Sequence, residues 1–121
     1  MRLIVTAAVL LLASGQGAIA ADAEAGGRVF RTQCAACHTV EAGKNRVGPS
    51  LFGIVGRKPG QVEGFRYSAA NKSAELVWDV ETLDKYLTNP RAVVPGTIMT
   101  FAGLKSETQR ADLIAYLQTI K

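Results

Sequence analysis

The chain has 121 residues, 48% of them hydrophobic, and a formal net charge of +4. A chain of this length has room for one domain. It contains two cysteines and one histidine, which cannot supply the four Cys or His ligands of a structural zinc site. The mild excess of basic residues lacks the concentration that indicates nucleic-acid binding. A zinc-dependent fold and a nucleic-acid-binding function are both disfavoured.

The first twenty residues have the organisation of a secretory signal peptide. A positive start at Arg2 precedes an apolar run over residues 3–13, and residues 18–20 form an Ala-Ile-Ala cleavage pattern. The apolar run is shorter than the roughly 18 residues of a membrane-spanning helix. We therefore expect residues 1–20 to be cleaved, which leaves residues 21–121 as one domain in a bacterial periplasm. An uncleaved chain would instead be tethered to the membrane.

The first predicted helix spans Ala23–Gln33, with Asp22 placed as its N-cap. It is followed by two cysteines three residues apart and an adjacent histidine, Cys34, Cys37 and His38. On a helical turn these three side chains share one face. The motif is typical of covalent haem attachment, in which both thiols form thioethers with one porphyrin and the histidine ligates the iron.

Two other uses of a cysteine pair compete with haem attachment. A thioredoxin-like redox pair requires a βαβ context, and no such pattern is present around Cys34 and Cys37. A structural disulfide would not specify the adjacent His38. The motif therefore predicts one covalently bound haem c.

The rest of the chain predicts helices separated by loops. Residues 43–64 are rich in Gly and Pro and are predicted to be mostly loop, and a weak signal indicates a short helix at 68–73. A second main helix is expected to follow Asp79, its N-cap, and to end at Thr88. A third begins after Ser106, which starts a capping-box pattern. Strand patterns are nearly absent, so the fold class is a small all-α domain with three main helices.

A candidate second ligand for the iron lies in residues 89–101. Two prolines and a glycine predict a non-helical loop there, with Pro90 ending the preceding helix. Met99 in this loop is the only methionine besides Met1. Its thioether could ligate the iron opposite His38, although most methionines only fill the core. His/Met ligation raises the reduction potential and closes the sixth position, which favours one-electron transfer over substrate turnover.

Many further stretches match one protein family: Gly48-Pro49-Ser50-Leu51, Gly56-Arg57-Lys58, Gly64-Phe65-Arg66-Tyr67, Trp78, Tyr86-Leu87, Asn89-Pro90, Pro95-Gly96-Thr97, Phe101-Ala102-Gly103 and Asp112 to Leu117. On these residues and the haem motif, residues 21–121 resemble the class I c-type cytochromes. Within that class they are similar to soluble bacterial cytochromes of the c2 type and to mitochondrial cytochrome c. The resemblance implies a small cytochrome c fold wrapped around the haem.

The resemblance also implies roles for individual residues. The Pro49 carbonyl would accept a hydrogen bond from the His38 nitrogen that faces away from the iron. Buried haem propionates need donors or a cation, and the resemblance assigns them to Arg57, Tyr67, Ser68 and Trp78. For the two aromatic residues, a core position is the alternative. Polar groups beside the methionine ligand would be Asn71, Tyr86 and Thr97. Gly26 and Phe30 would pack against Leu113 and Tyr116.

In the family, a ring of basic side chains around the haem edge steers the carrier to acidic partners. Arg28, Arg46, Arg91 and Lys105 occupy positions of that ring. Three positions that are lysine in the mitochondrial protein are neutral in this chain: Gln33, Ile98 and Ser106. If the thinned ring still steers docking, association rates should fall as salt rises.

The expected function is that of a soluble, monomeric periplasmic electron carrier. Its donor would be a cytochrome bc complex or a dehydrogenase, and its acceptor a terminal oxidase, a photosynthetic reaction centre or a reductase. It would convert no substrate itself. The alternatives are a haem peroxidase or gas-binding sensor with an open sixth position, and a subunit that functions only within a larger dehydrogenase.

Overall fold

The structure, a computed structural model, describes residues 20–121, and these residues contain helices and loops but no strand. Apart from Ala20, the predicted signal peptide lies outside the described residues. Among residues 20–121, no helix combines the length and apolar character needed to cross a membrane. The all-α prediction is confirmed, with five helices: α1 (Ala23–Gln33), α2 (Ala69–Ser73), α3 (Val80–Thr88), α4 (Pro90–Val93) and α5 (Glu107–Thr119).

The three main helices begin where their capping residues predict. The side chains of Asp22, Asp79 and Ser106 each accept a hydrogen bond from a backbone N–H in the first turn of α1, α3 and α5, respectively. These bonds satisfy N–H groups that have no partner inside the helix. The short helix α2 has the same kind of cap, since the Ser68 side chain accepts from the Asn71 N–H.

The prediction of a continuous non-helical loop over residues 89–101 is wrong in its first turn. Pro90 ends α3 as expected, but it is also the first residue of the one-turn helix α4. At that position the missing N–H would have no partner in the helix, and the fixed φ of proline suits a helical start. The turn buries the Val94 side chain, which is 1% exposed. The rest of the segment, including Met99, is non-helical as predicted.

Helices α1 and α5 cross with almost no space between their backbones. A Cβ built on Gly26 would lie 1.8 Å from the Asp112 carbonyl oxygen and 2.8 Å from the Tyr116 Cβ. One turn further along α1, the buried Phe30 ring lies 5.8 Å from the Tyr116 ring, centroid to centroid. Leu113 of α5 belongs to the same buried cluster. The predicted packing of the first helix on the last is confirmed.

We expect Gly26→Ala to lower the free energy of unfolding by about 2–3 kcal/mol, because the added methyl group overlaps the backbone of α5, which cannot move aside. The measurement is guanidinium unfolding of the haem-loaded protein. Gly27→Ala is the matched control. A Cβ there meets the movable Tyr116 ring at 3.3 Å, and alanine gains helix propensity. Equal losses in both variants would contradict close backbone contact as the cause.

The Asp79 cap predicts a specific dependence of stability on acid. Hydrogen bonds from the Thr82 backbone N–H and hydroxyl lower the pKa of the exposed Asp79 carboxyl. A lowered folded-state pKa means that the carboxylate stabilises the fold above about pH 4 and that this contribution is lost at lower pH. In Asp79→Asn, which keeps a capping oxygen, we expect stability to change less than in the wild type between about pH 4 and pH 2. Parallel acid-unfolding curves would contradict this role.

Candidate haem-binding site

A cavity of about 340 Å³ lies at the centre of the described residues. Its lining comes mainly from the turn after α1, from α2 and the loops before and after it, from α3 and from the non-helical segment that carries Met99, and α5 adds Leu117. Every predicted site residue is among the lining residues: Cys34, Cys37, His38, Pro49, Arg57, Tyr67, Ser68, Trp78 and Met99. Side chains that are far apart in the sequence therefore face one cavity.

The cysteine motif forms a turn that continues directly from α1. The Cys34 N–H donates to the Phe30 carbonyl at 2.8 Å, and the His38 N–H donates to the Cys34 carbonyl at 2.9 Å. Both thiols are free, which leaves them available for thioethers. Burial, together with the neighbouring Cys37, raises the pKa of the Cys34 thiol to about 11. This shift is the expected effect of an apolar environment that disfavours a thiolate.

Two neighbouring residues hold the His38 ring in place. Its Nδ1 lies 2.7 Å from the Pro49 carbonyl oxygen. A carbonyl can only accept, so Nδ1 carries the proton and the Nε2 lone pair is left for a metal. Burial lowers the pKa of His38, although the bond to Pro49 opposes the shift. The ring is therefore neutral at neutral pH, as a metal ligand must be.

Gly48 is the second residue that fixes this ring. A Cβ at Gly48 would lie 2.3 Å from the His38 Cε1, so only glycine allows the backbone to approach so closely. In the sequence, Gly48 is part of a family motif and has no predicted role of its own. The glycine itself gives no signal of this contact, because the contact depends on how the loop folds back over the ring.

Met99 has a polar neighbour, and hydrogen bonds fix the chain on both sides of it. The Tyr86 hydroxyl lies 3.7 Å from the Met99 sulfur and donates to it, and burial raises the pKa of Tyr86, which keeps the hydroxyl protonated. On one flank, the Met99 N–H donates to the Thr97 hydroxyl at 3.3 Å. On the other, the Leu104 N–H donates to the Leu87 carbonyl at the end of α3 at 2.7 Å.

A buried arginine connects this second flank to α5. Arg110 donates from Nη1 to the Leu104 and Lys105 carbonyls, both at 3.0 Å, and from Nε to Asp84 at 2.8 Å. Lys105 adds a bond from its ammonium group to the Thr88 carbonyl at 2.7 Å. Nothing in the sequence marks Arg110 as buried, because a single arginine in a helix is ordinarily a surface residue.

One part of the lining is rich in hydrogen-bond donors. The Tyr67 hydroxyl accepts from the Val62 N–H at 2.9 Å, and the Ser68 hydroxyl accepts from the Asn71 N–H at 3.1 Å. Each hydroxyl therefore keeps its proton available for a further acceptor. Burial raises the pKa of Tyr67, so its hydroxyl stays protonated at neutral pH. The Arg57 guanidinium adds a cation to the same lining.

The residues present fit a haem. The walls are largely aliphatic and aromatic, and the polar groups include a neutral imidazole, a thioether, two thiols and a set of donors suited to carboxylates. The Asn71 Oδ1 is buried without a hydrogen-bond partner in the described residues, which indicates a polar neighbour beyond the protein atoms. The apolar walls include Ile54 and Leu83, which no motif identified because buried aliphatic residues look alike in a sequence.

Comparisons with known proteins agree with this geometry. A sequence model of the cytochrome c family matches residues 23–121. The chain is 48% identical over 100 residues to cytochrome c of Euglena viridis, covering 83% of this chain and 98% of the relative. It is 50% identical over 107 residues to cytochrome c of Guizotia abyssinica, covering 88% and 96%. It is 52% identical over 97 residues to cytochrome c type-1 of Ascaris suum, covering 80% and 87%.

The fold, the site and the relatives together define the class of protein: a small all-α protein that carries covalent haem c and transfers electrons. The chain belongs to the cytochrome c family, as a class I c-type cytochrome.

We expect Gly48→Ala to displace the His38 ring and to lower the free energy of unfolding by about 1–3 kcal/mol, because the new methyl group overlaps the imidazole. Unfolding and the visible spectrum of the haem-loaded protein measure both effects. The neighbouring Val47→Ala serves as the control, since Val47 is 79% exposed. An unchanged spectrum and an unchanged stability in Gly48→Ala would show that the loop tolerates the methyl group.

Proposed function

We propose that this chain is a periplasmic one-electron carrier whose haem iron is ligated by His38 and Met99. The observation that carries the proposal is that both side chains line one cavity, with the two thiols of the attachment motif beside the histidine. The Pro49 carbonyl holds the Nδ1 of His38 and leaves Nε2 for the iron. The Met99 sulfur lies in the same lining beside the Tyr86 hydroxyl.

When bound, haem c supplies an iron that alternates between Fe(II) and Fe(III). Cys34 and Cys37 would hold the macrocycle through thioethers. The hydrogen bond to Pro49 orients the His38 ring and raises its basicity as a ligand. The neutral Met99 thioether would favour Fe(II) more than a second imidazole would, and it would occupy the position that peroxide or a gas needs. These roles support an electron carrier without substrate conversion over a haem peroxidase or a gas-binding sensor.

The propionates would be held by Arg57, Tyr67, Ser68 and Trp78. The Tyr67 and Ser68 hydroxyls each have a proton left to donate, and the Arg57 guanidinium can neutralise a carboxylate. The Trp78 and Arg57 backbones are joined by a hydrogen bond of 2.7 Å, so the position of one residue constrains that of the other. This arrangement would keep the charged end of the cofactor at one part of the cavity.

The proposal also includes export of the chain to the periplasm. Residues 1–20 would be removed after Ala20, which leaves residues 21–121 as the mature domain. The relatives reported above are eukaryotic, so the support for a periplasmic location is the N-terminal sequence alone. The transient partners would be a cytochrome bc complex or dehydrogenase as donor, and an oxidase, reaction centre or reductase as acceptor.

Carbon monoxide binding tests the ligand set. In the wild type we expect a low-spin c-type spectrum after reduction and no response to carbon monoxide, since Met99 closes the sixth position. Met99→Ala should bind carbon monoxide and should have a lower reduction potential, because the ligand that favours Fe(II) is lost. Ile98→Ala, at the exposed neighbouring residue, is the control and should resemble the wild type. Carbon monoxide binding by the wild type would favour the sensor or peroxidase function instead.

A further inference from the structure

Arg110 on α5 is the one charged residue that is buried within the part of the chain that the structure describes, at 9% exposed. A guanidinium taken out of water is costly unless its N–H groups have partners. Its Nη1 donates to the Leu104 and Lys105 carbonyls, and its Nε donates to Asp84 on α3. The arginine therefore joins three parts of the chain: α5, α3 and the segment that carries Met99.

The partners of Arg110 differ in their access to water. The Asp84 side chain is 46% exposed, so water can replace the arginine at that carboxylate. Leu104 is 6% exposed, and its carbonyl receives the hydrogen bond from Arg110 inside the protein. Without Arg110, this carbonyl would remain a buried acceptor with no donor, which is costly, unless the chain moved to bring it to water.

The chain between Met99 and Leu104 has few hydrogen bonds of its own. Among the described residues, the backbone of Met99 and of the four residues after it takes part in two. The Met99 N–H donates to the Thr97 hydroxyl at 3.3 Å, and the Lys105 ammonium donates to the Ala102 carbonyl at 3.4 Å. Both distances are long for a hydrogen bond. This part of the chain is therefore held mainly at its ends, and a movement at Leu104 is transmitted to Met99.

Helix α3 is the element beside which the Met99 side chain lies. The Tyr86 hydroxyl of α3 donates to the Met99 sulfur at 3.7 Å. Asp84, which accepts from Arg110, lies two residues earlier on the same helix. The Leu104 N–H donates to a carbonyl in the last turn of α3 at 2.7 Å. These bonds fasten the chain after Met99 to the helix that contacts its sulfur.

We propose that Arg110 is a positioning residue for the second iron ligand, and that its bonds to the chain after Met99 keep the thioether on the iron. Asp84 orients the guanidinium for these bonds. Without the arginine, the Leu104 carbonyl reaches water only if the segment moves outward, and Met99 moves with it. The inference rests on the proposed ligation of the iron by Met99. It goes beyond that proposal, because it assigns the closure of the sixth position to a residue that does not line the cavity.

A purely structural role is the alternative, in which Arg110 stabilises the whole fold and has no separate effect on Met99. Imidazole distinguishes the two, because it binds the oxidised haem only where Met99 is off the iron. Its apparent affinity is therefore proportional to the fraction of molecules in which the sixth position is open. The Leu104 amide gives a second measure that needs no added ligand, since its hydrogen exchange requires local opening of the same segment.

The test measures the dissociation constant of imidazole and the exchange rate of the Leu104 amide in the oxidised, haem-loaded protein. Guanidinium unfolding and the reduction potential are measured beside them. The variants are Arg110→Gln, Arg110→Lys and Asp84→Asn. Arg28→Gln is the matched control, since Arg28 is an exposed arginine on α1. Asp22→Ala is the control for stability, because it removes the α1 cap and lies outside the cavity lining.

We expect Arg110→Gln to tighten imidazole binding about tenfold or more, as the loss of hydrogen bonds from a charged donor predicts, and to speed Leu104 exchange by a similar factor. Its reduction potential should stay near that of the wild type, because the closed form still predominates. Arg110→Lys should fall in between, since an ammonium keeps the charge but lacks the planar fork. Asp84→Asn should tighten binding about threefold, because its exposed carboxylate contributes less. Both controls should keep the wild-type imidazole affinity.

The inference is overturned if Arg110→Gln loses stability while its imidazole affinity and its Leu104 exchange stay at the wild-type values. It is also overturned if Asp22→Ala tightens imidazole binding as much as Arg110→Gln does. If Arg110→Gln does not fold around the haem, Arg110→Lys and Asp84→Asn decide the question by the same two measurements. A wild-type protein that lacks the far-red methionine–iron band when oxidised would instead contradict ligation by Met99, which is the proposed function itself.

Discussion

The contact between α1 and α5 is the constraint on which the rest of the structure depends. At Gly26 the two backbones approach so closely that no side chain fits between them, and this fixes α1 on α5. The end of α1 continues into the turn with the two thiols and His38. Through Arg110, α5 also binds the carbonyls of residues 104 and 105 and the Asp84 side chain of α3. Helix α5 therefore helps to position both segments that carry a proposed iron ligand.

Apolar groups and hydrogen-bond donors occupy different parts of the cavity lining. Aliphatic walls surround a neutral imidazole and a thioether, while hydroxyl and guanidinium donors belong to the loops around α2. Burial lowers the pKa of His38 and raises the pKa values of Cys34, Tyr67 and Tyr86, so it favours the uncharged form of all four groups. These four groups therefore stay uncharged at neutral pH, and the charged side chains of the lining are those of Arg57 and Lys58.

Charged and apolar side chains also differ in position at the surface. Arg46 donates to the Ala35 carbonyl and the Lys105 ammonium donates to the Thr88 carbonyl, so backbone groups hold both cations. Val47 and Ile98 line the cavity although they are 79% and 70% exposed. Charged groups at a surface raise an association rate more than they raise the affinity.

The sequence by itself determined what depends on neighbouring residues: the caps at Asp22, Asp79 and Ser106, the end of α3 before Pro90, and the helical turn that aligns Cys34, Cys37 and His38. These features follow from local backbone geometry and side-chain spacing. The resemblance to a known family added the expected lining of the cavity. Only the tertiary structure decided that α4 forms, that Gly48 fits against His38 and that Arg110 is buried. Those outcomes depend on which distant segments pack together, and no local pattern encodes that packing.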